Sequence, residues 1–293
     1  MKKISVSLSS IMIVCCVNQC VAADNTTFPV TDKKGTKTGE VYTIPDDTLI
    51  IKNSNADSVL YGKRLLDETY RLLPEHVGAE MNCNSCHIAG GKKSEGLPYI
   101  NTFNHYPSYN ARAGREVSLA ERINGCFSRS MNGTPLTEDS TEMKAMIDYM
   151  KWLSQGTPAD RKVMVKNAWP INQQLTPSPE RGKLLYKEQC SACHGLNGEG
   201  RKDASGKILF PPLWGDHSFN IGAGMARTYK AAAFIFKNMP MGINTQGIWG
   251  EGGTLTEQDA VDVAEYFTHM PRPDYPDKEK DWPEDKKPAD ARY

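Results

Sequence analysis

The feature that most constrains this chain is the motif Cys-x-x-Cys-His, which occurs twice, as Cys83-Asn84-Ser85-Cys86-His87 and as Cys190-Ser191-Ala192-Cys193-His194. Each copy places two thiols one helical turn apart, so that both can form thioethers with one haem while the histidine binds its iron. A redox cysteine pair needs no following histidine, and a zinc site brings its two cysteine pairs closer together in sequence. The motifs therefore predict two covalently attached c-type haems.

The sequence around the two motifs is an internal repeat. Gly182 to Tyr186, preceded by the helix cap Ser178-Pro179-Glu180, leads into the second motif, and Tyr61 to Leu66 plays the same part in the first half. A glycine early in a helix indicates close packing by another helix, and both halves offer such a helix, at Glu142 to Leu153 and at Thr256 to Thr268. We therefore expect an all-α fold of two tandem cytochrome c-like domains, each enclosing one covalently bound haem c.

These elements predict how the chain is divided. Lys2 and Lys3, the apolar run from Ile4 to Val17 and the small residues before Asp24 are typical of a secretory signal cleaved near Ala23, with a retained anchor as the alternative. We expect a periplasmic protein with no membrane span in the mature chain, since no later stretch reaches about 18 apolar residues. The predicted segments are a signal peptide (1–23), an N-terminal extension (24–57), a catalytic-haem domain (58–155), a linker (156–176), an electron-transfer domain (177–271) and a flexible tail (272–293).

Charge and cysteine content limit the function further. Lysine plus arginine balances aspartate plus glutamate at 35 each, so the chain lacks the basic excess that nucleic-acid binding requires, and any anion site must be a local cluster of arginines. Of the eight cysteines, three lie in the predicted signal and four in the haem motifs. Cys126 remains unpaired, and in an exported chain it needs an explanation.

The distal iron ligands separate an electron carrier from a catalyst. In the second half, Met239 lies in a segment just before the closing helix and is the expected ligand, with Met241 and Lys237 as alternative ligands. The non-functional alternative is that Met239 only packs in the core. In the first half, His105 is interpreted as an ordinary loop histidine. A methionine stripe on the closing helix there indicates core packing, at Met143, Met146 and Met150.

Cys126 is the remaining candidate in the first half. Ser118-Leu119-Ala120-Glu121 is a capping box that starts a helix, on which Arg122, Cys126 and Ser130 share one face at four-residue spacing. The alternatives are a small buried thiol and solvated arginines at Arg112, Arg115, Arg122 and Arg129. A cationic pocket would favour the thiolate, which is both an iron ligand and a nucleophile.

Several stretches resemble the dihaem thiosulfate dehydrogenases, which interconvert thiosulfate and tetrathionate. The likeness covers roughly Asn55 to Pro271, and its most specific part is Arg122 to Gly133, together with the Tyr61 to Thr69 segment and the first haem motif. The resemblance implies that haem 1, on His87 and Cys126, is the active site, and that Arg112, Arg122 and Ser130 hold the substrate sulfonates. It also implies that haem 2, on His194 and Met239, exchanges electrons with a small soluble partner such as a cytochrome c.

Two positions depart from the family pattern. Some members carry a lysine before the methionine that can itself bind haem 2, whereas this chain has Asn238, so we expect His/Met ligation. Members with that arrangement can work well as tetrathionate reductases, which leaves the physiological direction open. The family also has a glutamine near the substrate shortly after the first motif, and this chain has Gly90-Gly91-Lys92 there.

The expected mechanism resembles thiol–disulfide exchange. Arginines neutralise two thiosulfate dianions, Cys126 leaves the iron and forms a sulfur–sulfur adduct with one of them, and the second displaces it as tetrathionate. Two alternative functions remain: a dihaem electron carrier without a substrate of its own, and a haem–thiolate enzyme that transfers thiosulfate to a carrier protein.

Overall fold

The computed structural model describes residues 27–242, 252–283 and 286–293, so the predicted signal peptide lies outside the described residues. The helices of the first half are α1 (Ala56–Asp67), α2 (Thr69–Leu72), α3 (Ile88–Gly91), α4 (Leu119–Arg129) and α5 (Thr141–Trp152). Those of the second half are α6 (Pro179–Gln189), α7 (Ser191–His194), α8 (Thr228–Asn238) and α9 (Glu257–Thr268). Short 3₁₀ turns lie at Asp47–Lys52, Pro74–His76, Cys83–Ser85, Phe103–His105, Gly224–Ala226 and Lys278–Lys280.

Small sheets accompany these helices, so the expected all-α class is too narrow. The strands are β1 (Thr27–Asp32), β2 (Lys37–Thr43), β3 (Ser108–Asn110), β4 (Arg115–Val117), β5 (Arg161–Val163), β6 (Arg201–Lys202) and β7 (Ile208–Phe210). One antiparallel sheet has the order β2-β1-β5 and pairs Val30 with Val163, which joins the N-terminal extension to the linker. Phe28, Val30 and Tyr42 are buried there and form a small second core with Ile100 and Val163.

Each half is built on one tightly packed helix pair, α1 with α5 and α6 with α9. A β-carbon at Gly62 would collide with the backbone carbonyl of Ala145, and one at Gly182 would collide with that of Asp262. Only glycine permits this approach of two helix backbones. The predicted close packing at both glycines is confirmed.

Helices α4 and α6 begin at their predicted capping residues, and α9 begins at a further cap that was not predicted. Ser118 and Glu121 form a reciprocal capping box at α4, and Thr256 forms one with Asp259 at α9. Ser178 caps α6, whose first residue is proline. The methionine stripe on α5 is fully buried in the core, as predicted, at Met143, Met146 and Met150.

Buried polar contacts join the two halves. Asn220, 1% exposed, donates from Nδ2 to the Ser128 carbonyl at 2.9 Å and to Asn132 Oδ1 at 3.1 Å, and its N–H donates to the Arg129 carbonyl at 3.2 Å. The loop of the second half that contains Asn220 is therefore hydrogen-bonded to the C-terminal end of α4. A buried hydrogen bond of this kind is costly to leave unmade, so the halves are held in one arrangement.

The segment after Pro271, for which the sequence predicts a flexible tail, packs across both halves. Tyr275 and Trp282 are buried, and the Trp282 N–H donates to the Arg112 carbonyl at 2.8 Å. Further along, Arg227 pairs with Asp290 at 2.7 Å. Among the described residues, no helix has the length and apolarity needed to cross a membrane.

Candidate active site

The first haem motif lies on a 3₁₀ turn that is fixed by the chain preceding it. Asn82 and Ser85 form a reciprocal capping box around the turn. Thr69 Oγ1 accepts from the Cys83 N–H at 3.0 Å, and Asn82 Oδ1 accepts from the Tyr70 N–H at 3.0 Å. Helix α2 therefore sets the position of the first cysteine.

His87 is oriented by a backbone carbonyl. Its Nδ1 hydrogen-bonds to the Leu97 carbonyl, and its ring stacks on Tyr99 with centroids 4.3 Å apart. Because a carbonyl only accepts, Nδ1 carries the proton and Nε2 is left as the metal-binding nitrogen. Burial lowers the pKa of His87 to about 4, so the imidazole is neutral, which is the form that binds iron.

The second motif repeats this arrangement. His194 is 9% exposed, its Nδ1 hydrogen-bonds to the Pro211 carbonyl at 2.9 Å, and burial lowers its pKa. The Tyr186 hydroxyl donates to the Gly195 carbonyl at 2.7 Å and secures the turn that follows the histidine. Both halves thus present a neutral imidazole whose tautomer is fixed by main chain.

The thiols of the motifs fit thioether bonds to haem better than redox chemistry. Burial raises the pKa of Cys83, Cys86 and Cys190 to about 12. A redox-active Cys-x-x-Cys pair instead requires a lowered thiol pKa. Desolvated thiols beside a neutral, carbonyl-oriented histidine are suited to an apolar macrocycle with an iron ligand above it.

The structure brings Cys126 to the first motif. The Sγ atom of Cys126 accepts from Arg122 Nη1 at 2.8 Å, one turn earlier on α4. The Cys126 sulfur lies close enough to Cys83 and Cys86 to contribute to their raised pKa values, and its interaction with Arg122 is the main reason that the pKa of Arg122 is raised. A thiol paired with a guanidinium, rather than one packed among apolar side chains, is therefore found here.

The other predicted substrate residues, Ser130 and Arg112, lie in different places. Ser130 caps the end of α4, where its N–H donates to the Cys126 carbonyl. Arg112 lies elsewhere: its guanidinium pairs with Asp281 at 3.4 Å, bonds to the Gly222 carbonyl and lies 4.5 Å from the centre of the Trp282 ring. Among the described residues, none of these Arg112 contacts involves Cys126.

The remaining arginines of this region have structural partners. Arg129 pairs at 2.7 Å with the same Asp281 carboxylate, whose side chain is 4% exposed, and covers the Tyr275 ring at 4.5 Å. Arg115 is exposed and pairs with Glu121 at 2.6 Å. The tail thus holds two of the four arginines, and Arg122 is the one that contacts the thiol.

In the second half, Met239 directly follows α8. It is half-buried against the core, and a β-carbon at Gly252 would press on its backbone. Lys237, an alternative ligand, is directed elsewhere, with its Nζ 4.0 Å from the centre of the Trp169 ring and 4.0 Å from Glu95 Oε2. Met241 lies in the turn after α8 and is half-buried.

Two residues near the first motif were missed by sequence reasoning. Tyr106 hydrogen-bonds to Arg122, and Tyr99 stacks on His87. Both lie in the loop between α3 and α4, where neither periodicity nor a capping pattern distinguishes a functional aromatic residue. His105, in contrast, is exposed, in keeping with an ordinary loop histidine.

Comparison with known proteins gives two domain matches and several long relatives. Residues 75–159 match the family described as SoxA/TsdA, cytochrome c domain, and residues 179–271 match Cytochrome c. A thiosulfate dehydrogenase of Psychrobacter arcticus is 43% identical over 85% of this chain and 74% of its own length. One of Allochromatium vinosum is 37% identical over 79% of this chain and 84% of its own length.

A solved structure is similar as well. A thiosulfate dehydrogenase (TsdBA) from Marichromatium purpuratum superposes on this chain with a TM-score of 0.72 at 34% identity. The match covers 80% of this chain and 50% of that one, so the present chain spans half the length of the solved protein. Two cytochrome c domains with these motifs carry two covalently bound haem c groups.

Proposed function

The chain belongs to the thiosulfate dehydrogenase family, and from this premise we propose that its first haem site interconverts two thiosulfate ions and tetrathionate. His87 and Cys126 are the proposed ligands of haem 1, and His194 and Met239 those of haem 2. We further propose that haem 2 exchanges electrons with a small soluble partner such as a cytochrome c. The proposal includes export to the periplasm, which the pattern of residues 1–23 supports.

One observation carries the catalytic proposal: Arg122 Nη1 lies 2.8 Å from Cys126 Sγ, beside the cysteines of the first haem motif. An electron carrier needs no guanidinium against its distal ligand. A guanidinium stabilises the thiolate, and its remaining N–H groups can receive sulfonate oxygens. Ser130, on the same helix face, is the proposed second contact to the substrate.

In the proposed reaction, a sulfur–sulfur bond forms and then breaks at the Cys126 sulfur. Two thiosulfate dianions become one tetrathionate dianion and two electrons, and the bound haems supply the one-electron chemistry that takes these up. The Cys126 thiolate bonds to the outer sulfur of one thiosulfate as two electrons leave. The second thiosulfate attacks that same outer sulfur, the bond to Cys126 breaks, and the thiolate is regenerated as tetrathionate leaves. Reversal of these steps reduces tetrathionate.

Arg122 has the central role in this scheme. It neutralises charge that would otherwise keep two dianions apart, and its contact with the thiolate orients the sulfur toward the substrate. Arg112 contributes at longer range, because its guanidinium is already paired with Asp281. The contacts of the two arginines support this division, whereas the resemblance implies equal roles for them.

The test uses the purified holoprotein in both directions. Thiosulfate with an artificial acceptor, and tetrathionate with a reduced dye, are each expected to give turnover. Electron paramagnetic resonance is expected to show one His/thiolate and one His/Met low-spin iron. Two His/Met signals and no thiosulfate-dependent reduction would show a carrier, and activity only with an added carrier protein would show a transferase.

A matched pair of arginine variants locates the site. Arg122→Leu is expected to reduce turnover strongly and to change the His/thiolate signal. Arg115→Leu removes a nearby arginine that pairs with Glu121 and donates to the Glu116 carbonyl, and it is expected to leave both turnover and the signal unchanged. Equal effects of the two variants would contradict a specific role for Arg122.

A further inference from the structure

Asn238 is a fully buried amide at the junction of the two halves. It is the last residue of α8, directly before Met239, and is 0% exposed. Its Nδ2 donates to the Phe234 carbonyl at 2.9 Å and, across the junction, to the Glu95 carbonyl at 2.9 Å. Its Oδ1 finds no donor among the described residues. Burying such an amide is costly, so the two bonds of Nδ2 are the reason to have it there.

The acceptor belongs to the loop that orients His87. Glu95 is two residues before Leu97, whose carbonyl hydrogen-bonds to His87 Nδ1. Both loop residues have left-handed backbone, with φ of 64° at Glu95 and 53° at Leu97. For residues other than glycine this costs on the order of 1–3 kcal/mol each and persists only when the surroundings impose it.

The surroundings that impose it come from the linker and from α8. The Glu95 N–H donates to the Lys166 carbonyl at 2.7 Å, and the Leu97 N–H donates to the Asn167 carbonyl at 3.1 Å. Asn238, from α8, adds the hydrogen bond to the Glu95 carbonyl. The loop that sets the first histidine is thus held by the segment that carries the second half's methionine.

We propose that Asn238 is a positioning residue that couples the two haem sites, because one side chain ties the Met239 segment to the loop that orients His87. This inference rests on the proposed ligand roles of His87 and Met239. A hydrogen bond to Nδ1 raises the basicity of a ligating histidine, and ligand basicity helps to set the iron's reduction potential. Loosening the Glu95 to Leu97 loop therefore weakens that bond and raises the potential of haem 1.

The contact is to main chain, which provides a sharp control. The Glu95 carboxylate separately lies 3.3 Å from Lys166 and 4.0 Å from Lys237. Glu95→Gln removes these charge pairs and leaves the carbonyl that Asn238 uses. Asn238→Ser keeps a hydroxyl that can bond back to the Phe234 carbonyl, but its side chain is too short to reach Glu95.

The experiment compares wild type, Asn238→Leu, Asn238→Ser and Glu95→Gln as holoproteins. Haem content and circular dichroism first establish folding, and potentiometric titration followed by visible and paramagnetic resonance spectra then reports each haem separately. Both Asn238 variants are expected to raise the haem 1 potential and to weaken the methionine signature of haem 2. Glu95→Gln is expected to leave both as in wild type.

The outcomes separate this inference from the proposed function. A wild-type protein without a His/Met signal would overturn the ligand assignment itself. If that signal is present but haem 1 is unchanged in both Asn238 variants, the coupling fails while the proposed function stands. An equal shift in Glu95→Gln would assign the coupling to the ion pairs and overturn the role of Asn238.

Discussion

The two halves of this molecule share one scaffold and differ in what it carries. In each, an opening helix meets a closing helix at a glycine, Gly62 or Gly182, and a histidine is fixed by a backbone carbonyl. The first half needs 13 more residues between glycine and cysteine. A repeated scaffold with one enlarged copy indicates that the addition serves the chemistry of that copy.

The contacts of the added residues show what they support. The N–H groups of Gly78 and Ala79 donate to the Met131 carbonyl at 3.0 and 2.8 Å, and a β-carbon at Gly133 would collide with the His76 carbonyl. The inserted segment therefore braces the end of α4, the helix that carries Cys126. In the second half no segment of comparable length is inserted, and Met239 directly follows α8.

The largest expected effect is the loss of activity on removal of Cys126, the residue that most distinguishes the first half from the second. Cys126→Gly is expected to keep both haems attached and to lower turnover with thiosulfate or tetrathionate by on the order of a thousandfold or more, because the proposed nucleophile is gone. Haem content by pyridine haemochrome and steady-state assays in both directions measure this. Near-normal activity would remove the catalytic role from Cys126 and make the two halves functionally alike.

A smaller effect is expected from the corresponding change in the second half. Met239→Leu is expected to remove the methionine signature of haem 2 and to slow electron delivery to an external acceptor, while thiosulfate still reduces haem 1. Rapid-mixing spectroscopy separates these steps. Met225→Leu, at another half-buried methionine of the same half, is the control and is expected to change neither. Loss of haem 1 reduction in Met239→Leu would contradict the division of labour.

The shared scaffold predicts equal effects in both halves. Gly62→Ala and Gly182→Ala each force two helix backbones apart, and each is expected to lower the free energy of unfolding by about 1–3 kcal/mol. Gly224→Ala is the control, since a β-carbon there meets nothing and the backbone is ordinary, and its effect is expected to stay within about 0.5 kcal/mol. Denaturant unfolding followed by circular dichroism provides the measurement. A clear inequality between the two glycines would mean that the scaffolds are not equivalent.

The smallest expected effect comes from removing a helix cap in either half, which lowers stability in both halves but disturbs the first haem site in only one case. Ser118→Ala and Thr256→Ala each remove a helix cap and are expected to cost about 1 kcal/mol of unfolding free energy. Only Ser118→Ala frays the helix that carries Cys126, so it alone is expected to broaden the His/thiolate resonance signal. The same broadening in Thr256→Ala would indicate that the α9 end also controls the first site.

Sequence patterns predicted what is local. The caps at Ser118 and Ser178, the glycine contacts and the placement of Cys126 beside Arg122 all depend on residues a few positions apart or on a repeated motif. The bounds of α5 and α9 agree with the predicted segments to within about a residue, and α6 begins at the predicted proline. Local hydrogen bonds and helical periodicity are readable without knowledge of the rest of the chain.

What could not be predicted is non-local. The pairing of Val30 with Val163 joins a polar extension to a linker, and no periodicity signals it. Arg112 is held by Asp281, which lies 169 positions further along the chain, so the resemblance alone placed it at the substrate. The left-handed backbone at Glu95 and Leu97 contradicts their propensities and is imposed by distant neighbours.

The buried hydrogen bonds between Asn220 and the end of α4 have a consequence for the kinetics of electron transfer. Domains joined by a flexible linker and a wet, polar interface usually move against each other. Here the buried Asn220 makes three hydrogen bonds to the opposite half, two from its side-chain amide and one from its main-chain N–H, so we expect no hinge motion between the halves during turnover. We therefore expect the rate of electron transfer between the two haem sites to be independent of solvent viscosity.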